Sequence, residues 1–265
     1  MSPIEAKSPP LNAFTSFAGT LFLASLSLLP VTTLAASESD KEFGWGLGLG
    51  AAVTNSPYRG HDDDSQLLPA VSYESRWISV MGPGIDFKIP SDSALSFRLQ
   101  AWYGLGEGYD ASDSDDLDGM RDRDPGIWLG GKAIWQSPVA QFSAQWAGDA
   151  SGNSDGQIIW LAVERHFTAG HFDFTPRLAA VHLNEDYVAY YYGVRASEAT
   201  ATRRAYNGDA TVNIEAGVRV GYPLKANQHV YLDLSATRLG SEIEDSPIVD
   251  RSTLGSARLW YMYRF

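Results

Sequence analysis

From Asp209 to Leu224 apolar and polar residues alternate with a period of two. Val212, Ile214, Ala216, Val218, Val220 and Tyr222 fall on one face, and Thr211, Asn213, Glu215, Gly217, Arg219 and Gly221 on the other. Successive side chains of a strand point to opposite faces, so this segment predicts a strand with one apolar and one charged surface. Ala94 to Gly106 repeats the pattern, with Leu95, Phe97, Leu99, Ala101, Tyr103 and Leu105 against Ser96, Arg98, Gln100, Trp102 and Gly104. Phe172, Phe174, Leu178 and Ala180 oppose Asp173, Thr175, Arg177 and Ala179, and Leu232, Leu234 and Ala236 oppose Tyr231, Asp233, Ser235 and Thr237. In a soluble sandwich the apolar row faces a packed core; in a membrane barrel it faces lipid and the polar row faces the lumen.

The links between strands separate these cases. Gln136-Ser137-Pro138, Thr168-Ala169-Gly170 and Lys225 to Gln228 are tight turns, whereas Thr54 to Gln66, Glu107 to Asp124, Asn184 to Gly208 and Gly240 to Thr253 are long and polar. Short and long links alternate in bacterial barrels, whose periplasmic turns are short and external loops long. With both termini in the periplasm the strand number is even, which requires a break at Gly82-Pro83-Gly84, a turn that does not fit inside a continuous ladder. The expected fold is all-β: an antiparallel transmembrane β-barrel of about 12 strands, at 44–53, 67–75, 76–82, 84–89, 94–106, 126–136, 139–147, 155–166, 171–183, 209–223, 229–239 and 254–265.

Both chain ends fit this reading. Phe17 to Leu29 is an apolar stretch followed by Pro30 and by Thr33-Leu34-Ala35-Ala36, a small-residue cleavage site. It reads as a signal peptide over 1–35, too short and too polar at its exit for a membrane-spanning helix, and leaves 36–265 as the barrel domain. At the other end Leu259, Tyr261, Tyr263 and Phe265 share one side of a strand, and the sequence closes on the aromatic itself. This resembles the terminal signal by which the barrel-assembly machinery recognises bacterial outer-membrane barrels for insertion. The predicted location is the outer membrane of a Gram-negative cell, in contact with lipid and lipopolysaccharide.

Composition narrows the chemistry. There is no Cys, so neither a disulfide framework nor a thiolate metal site is available. Aromatic residues make up 12%, which suits girdles at two interfaces, and a mean hydropathy of -0.19 is what alternation gives. A net charge of -12 argues against nucleic acid as a partner.

Ser56-Pro57-Tyr58-Arg59-Gly60 after the first strand, Pro69 and Tyr73 in the second, Tyr191-Tyr192-Gly193-Val194 before Tyr206, Asp245-Ser246-Pro247-Ile248-Val249 and the terminal Tyr263-Arg264-Phe265 together resemble the MipA/OmpV family of outer-membrane proteins. Asp149-Ala150-Ser151-Gly152 with Gly156 stands where that family tends to place a turn. The resemblance spans the mature chain. It implies an outer-membrane barrel, named for a member that scaffolds a lytic transglycosylase and a penicillin-binding protein; neither enzymatic activity nor a cofactor is expected. A small-solute channel is the alternative; a lipid hydrolase and a surface adhesin stand behind it.

Several groups carry a chemical reading beside a plainer one. Asp110, Asp113, Asp115, Asp116, Asp118, Asp122 and Asp124 read as a solvated external loop. Ser114, Asp116, Asp118 and Gly119 imitate the opening of a calcium loop, but Pro125 replaces its bidentate Glu, so no metal site is expected. The same applies to His61-Asp62-Asp63-Asp64. For a hydrolase, His61, His166, His171, His182 and His229 with Ser143 or Ser235 are the candidates, and no nucleophile elbow accompanies them. Arg98, Lys132, Arg177, Glu215, Arg219, Asp233, Arg258 and Arg264 face the lumen, where they either set pore selectivity or pair across the interior and plug it. Tyr187 to Val194 reads first as an interfacial aromatic belt and second as a loop folded into the barrel mouth.

Overall fold

The computed structural model describes residues 43–265. The segment 1–35 read as a signal peptide lies outside the described residues. The strands are β1 (Gly44–Thr54), β2 (Asp64–Glu74), β3 (Ile78–Met81), β4 (Gly84–Ile89), β5 (Leu95–Tyr103), β6 (Ile127–Gln136), β7 (Gln141–Asp149), β8 (Gln157–Glu164), β9 (Phe167–Ala169), β10 (Phe172–Leu183), β11 (Thr211–Lys225), β12 (Gln228–Arg238) and β13 (Thr253–Arg264). Each pairs antiparallel with its neighbours, and β13 returns to β1 from Gly46↔Arg264 to Thr54↔Ser256, so the sheet closes. β8 and β9 both pair with β10 and form one stave interrupted at Arg165 and His166; thirteen segments thus make twelve staves. Closure leaves no open end to the sheet.

The wall is apolar outside and polar inside. Leu49, Leu99, Leu129, Leu161, Leu178 and Leu259 are among its exposed residues, while Arg98, Lys132, Asn213, Glu215 and Asp233 are buried. This is the inversion that a barrel in lipid requires. Near the termini Trp45, Trp135, Phe142, Phe172, Tyr222 and Phe265 form part of an aromatic girdle, with Trp45 against Tyr73 at 4.9 Å and Phe172 against Tyr222 at 5.1 Å. Of the terminal row, Leu259, Tyr261 and Phe265 are exposed on this outer wall and Tyr263 is half-buried against Phe265. At the seam β1 turns glycines inward: a Cβ on Gly48 would stand 2.2 Å from the Tyr261 carbonyl oxygen and 2.4 Å from the Met262 sulfur.

The expected Gly-Pro-Gly hairpin is present, with Gly82 at φ +53° and Met81 paired to Gly84. It is short, and its consequence falls on β2. That strand begins at Asp64 rather than at residue 67 and pairs with β1 throughout, but meets β3 only over Ser72–Glu74. The Val71 carbonyl accepts from Gly82 N, so odd-numbered residues of β2 aim their backbone groups toward β3. Pro69 is one of them, placed where its missing N–H removes no ladder bond. The links at 75–77, 90–94, 137–140, 170–171 and 226–227 are short and share an end with the termini. Those at 55–63, 104–126, 150–156, 184–210 and 239–252 open at the other.

Most of the lumenal charges pair, but laterally along the wall rather than across it. Arg177 bridges Glu215 and Asp233 at 2.9 Å each, Arg219 meets Asp233 at 3.2 Å, and Arg98 meets Asp86 at 3.1 Å. Adjacent strands stand about 4.8 Å apart, within side-chain reach, whereas the far wall does not. Arg264 sits exposed at the rim.

Candidate functional site: the loop plug at the barrel mouth

The long loops fold together into an aromatic-cored plug over the strand tops. Helix α1 (Glu185–Tyr191) is its centre. Asn184 caps it, its side chain accepting from the Tyr187 amide at 3.2 Å, and Glu185 and Asp186 occupy the first turn, where acids suit the helix dipole. After the helix a Cβ at Gly193 would fall 2.1 Å from the Ala189 carbonyl oxygen, so only glycine fits the turn that follows Tyr191-Tyr192. Tyr187, Val188, Tyr191, Tyr192 and Val194 are buried. The belt reading of Tyr187 to Val194 is thereby corrected, and the segment is the loop folded into the mouth. An aromatic run serves an interface or a core equally well; here its partners are rings of the other loops, Tyr58 and Tyr109 among them.

The motif positions converge on this core. Ser56 is buried and its hydroxyl accepts from the Tyr58 amide; Pro57 is fully buried; Tyr58 is 2% exposed and donates its hydroxyl to the Tyr191 carbonyl at 3.0 Å. Gly60, at φ +69°, turns the chain beneath Ser114. Residues 55–63 then pair with 239–252: Arg59 N donates to Ile248 O at 2.8 Å, and Tyr58 bridges Val249. Ser246 donates to the Tyr192 carbonyl at 2.6 Å, and the carbonyl of its neighbour Pro247 accepts from Arg59 Nε at 3.3 Å. Val194 bridges Tyr206 within its own loop.

The acidic loop is only partly the solvated segment expected. Asp115 and Asp122 are exposed, but Tyr109, Leu117, Met120 and Arg123 are buried. Arg123 pairs with Glu198 at 2.9 Å, both side chains being almost wholly enclosed, and donates to the Tyr190 carbonyl at 2.6 Å. Arg203 donates to the Asp116 and Asp118 carbonyls. Burial pushes the Glu198 carboxyl up, but bonds from Arg123 and from the Arg195 and Arg121 amides outweigh it and hold it below its ordinary value.

Glu107 is the unexpected residue. It is 2% exposed, and its Oε2 accepts from Trp128 Nε1 at 2.8 Å, Tyr191 Oη at 2.9 Å and Gly126 N at 3.1 Å. It thus ties its own loop to β6 and to α1, while its Oε1 has no hydrogen-bond partner among the described residues. Burial raises its pKa to about 7 against those three bonds. Burial likewise pushes the Tyr58 and Tyr187 hydroxyls well above their ordinary value, so both stay protonated. No sequence pattern marks Glu107; the nearest signal is an acid between two glycines, Gly106 and Gly108.

Among the described residues no three acidic or histidine side chains are grouped to hold a metal ion. His61 stands 3.7 Å from Asp113 and His166 3.7 Å from Asp173, but neither Ser143 nor Ser235 hydrogen-bonds a histidine. Asp149 caps the 150–156 loop, accepting from the Ser151 and Ser154 amides at 2.7 and 2.6 Å.

The family described as "MltA-interacting protein MipA" matches residues 47–265. The chain is similar to the MltA-interacting protein of Escherichia coli K12, 27% identical over 249 residues, which cover 92% of this chain and 99% of that one. It is 29% identical to YiaT of the same strain over 212 residues, 78% of this chain and 85% of the relative. It is 25% identical to the outer membrane protein OmpV of Vibrio cholerae over 217 residues, 82% of each. Among solved structures, the NanC porin aligns over 83% of this chain and all of its own at 12% identity, with a TM-score of 0.47.

Proposed function

We propose, from the premise that the chain belongs to the MipA family and is an outer-membrane β-barrel, that it is a scaffold holding murein-remodelling enzymes at the outer membrane. The first partner is a lytic transglycosylase, and a penicillin-binding protein is the second. The observation that carries this reading is the plug: residues from four long loops, Tyr58, Tyr109, Leu117, Tyr191 and Ile248 among them, are spent on a buried core that caps the lumen, which favours an anchored body over an open pore. The family is described by an interaction rather than by a reaction, and no catalysis is proposed. The bilayer and its lipopolysaccharide hold the wall; the barrel-assembly machinery inserts it.

The partner meets the end that carries the termini. Exposed Trp77, with Arg76 stacked 5.2 Å from its ring, and exposed Val139 stand on two of its turns. A standard interface takes about 800 Å² from each partner, so an enzyme docks on the rim as a whole rather than on one turn. Affinity capture from chemically cross-linked envelopes tests this. Recovery of a lytic transglycosylase, lost when 75–77, 90–94 and 137–140 are replaced together, supports it; recovery of no murein enzyme overturns it and leaves the small-solute channel.

A further inference from the structure

Three cations stand side by side on the inner wall. Lys88 on β4 lies opposite Arg98 on β5, and Arg98 opposite Lys132 on β6. The first two have carboxylates: Lys88 pairs with Glu74, and Arg98 with Asp86. Lys132, only 7% exposed, has no hydrogen bond or ion pair among the described residues. Glu164 is the acid whose charge faces it most strongly, but it lies beyond ion-pair distance and is bonded to Gln141. A little-exposed ammonium without a partner is costly, more so beside the Arg98 guanidinium.

The wall next to it points the same way. Gln145 on β7 lies opposite Lys132, and Trp160 on β8 lies opposite Gln145. Trp160 is 8% exposed and its Nε1 has no acceptor; the Gln145 amide bonds to none of the described residues. One row across three strands therefore presents an ammonium, an amide and an indole N–H with no acceptor assigned to any of them. Beside Trp160, under Tyr187 and Tyr192 of the plug and walled by Asn213 and Thr237, lies a cavity of about 30 Å³, room for a water but not for a ligand. Glu215 also lines it, its charge held by Arg177.

We propose that this row is a lumenal binding site for a small sugar acid entering from the end opposite the plug. Its carboxylate accepts from Lys132 and Gln145, and its ring lies against the Trp160 indole. A carboxylate offers the two acceptor oxygens that the row lacks, and aromatic faces with a few polar edges suit a saccharide ring. The site goes beyond the scaffold reading and does not depend on it.

Titration calorimetry of the purified, folded full chain with glucuronate tests the site, with glucose and sodium chloride as controls. Saturable glucuronate binding is expected, at least tenfold tighter than glucose and persisting in excess chloride. Lys132→Gln should weaken it at least tenfold and Trp160→Phe several-fold, with both variants keeping the heat-modifiable gel mobility of a folded barrel. Absence of glucuronate binding, equal binding of glucose, displacement by chloride, or wild-type affinity in Lys132→Gln would overturn the site. Should Lys132→Gln not fold, the wild-type comparison of glucuronate, glucose and chloride decides alone, whatever enzyme is or is not captured with the scaffold.

Discussion

Tyr191 donates its hydroxyl to the Glu107 carboxylate at 2.9 Å across 84 residues of chain, joining the helix of one external loop to the start of another. The contact lies inside an aromatic core, so it responds to the protonation of the acid. The pKa of Glu107 is about 7 in the folded plug, above its ordinary 4.5. The folded state therefore binds more protons than the opened one between these values, and plug stability falls as pH rises through that window and stays low above it. The swing is at most about 3 kcal/mol, at 1.36 kcal/mol for each pH unit. Amide protection over 185–194, taken relative to the base-catalysed intrinsic rate at each pH, should be greater at pH 5 than at pH 8, and Glu107→Gln should flatten that difference. A pH difference unchanged in Glu107→Gln would place its origin elsewhere.

Arg123→Met should open the plug while sparing the barrel. It leaves the Glu198 carboxylate, 2% exposed, without its main partner, and breaking a buried pair in this way costs about 3–5 kcal/mol. Limited proteolysis should then cut within 195–208 faster than in the wild type, with the heat-modifiable mobility of the barrel retained. Equal resistance would show that the pair does not hold the loops.

Tyr58→Phe should have a smaller effect of the same kind. The ring still packs against Tyr109 at 4.7 Å, but the Tyr191 carbonyl loses its donor, a cost of about 1–3 kcal/mol for a buried acceptor. Exchange should quicken chiefly in 185–194 and 248–250; uniform change across the strands would contradict a local role.

Phe265→Ala should lower the yield of assembled barrel several-fold without altering the plug. The side chain is 74% exposed on the outer wall, touches Tyr263, and contributes little to packing, so a loss of yield reports on recognition during insertion. Unchanged yield in outer-membrane fractions would remove the terminal row from that role.

Much of the barrel is legible in the chain because lipid imposes a strict rule on each strand. Rows such as Leu95, Phe97 and Leu99 face out and Ser96, Arg98 and Gln100 face in, and a slip of one residue would reverse both. Link lengths and the Gly-Pro-Gly hairpin then fix the number of staves. The plug follows no such period. Arg123 and Glu198 are 75 residues apart, and nothing local separates a buried arginine from the exposed Arg121 beside it. The motif residues Tyr58, Tyr192 and Ser246 lie on three different loops, and their meeting point is a tertiary fact that no local pattern carries. Lys132 was legible as lumenal, whereas its lack of a partner appears only once Lys88 and Arg98 are seen to hold theirs.

The most direct test of the central claim, a barrel closed by its plug and used as an anchor, is conductance in planar bilayers. The purified wild type is expected to stay closed at neutral pH, while a variant with 185–208 replaced by a short glycine-serine link should open steady channels. A wild type that conducts as freely as that variant would contradict closure and make solute passage, rather than scaffolding, the function of the fold.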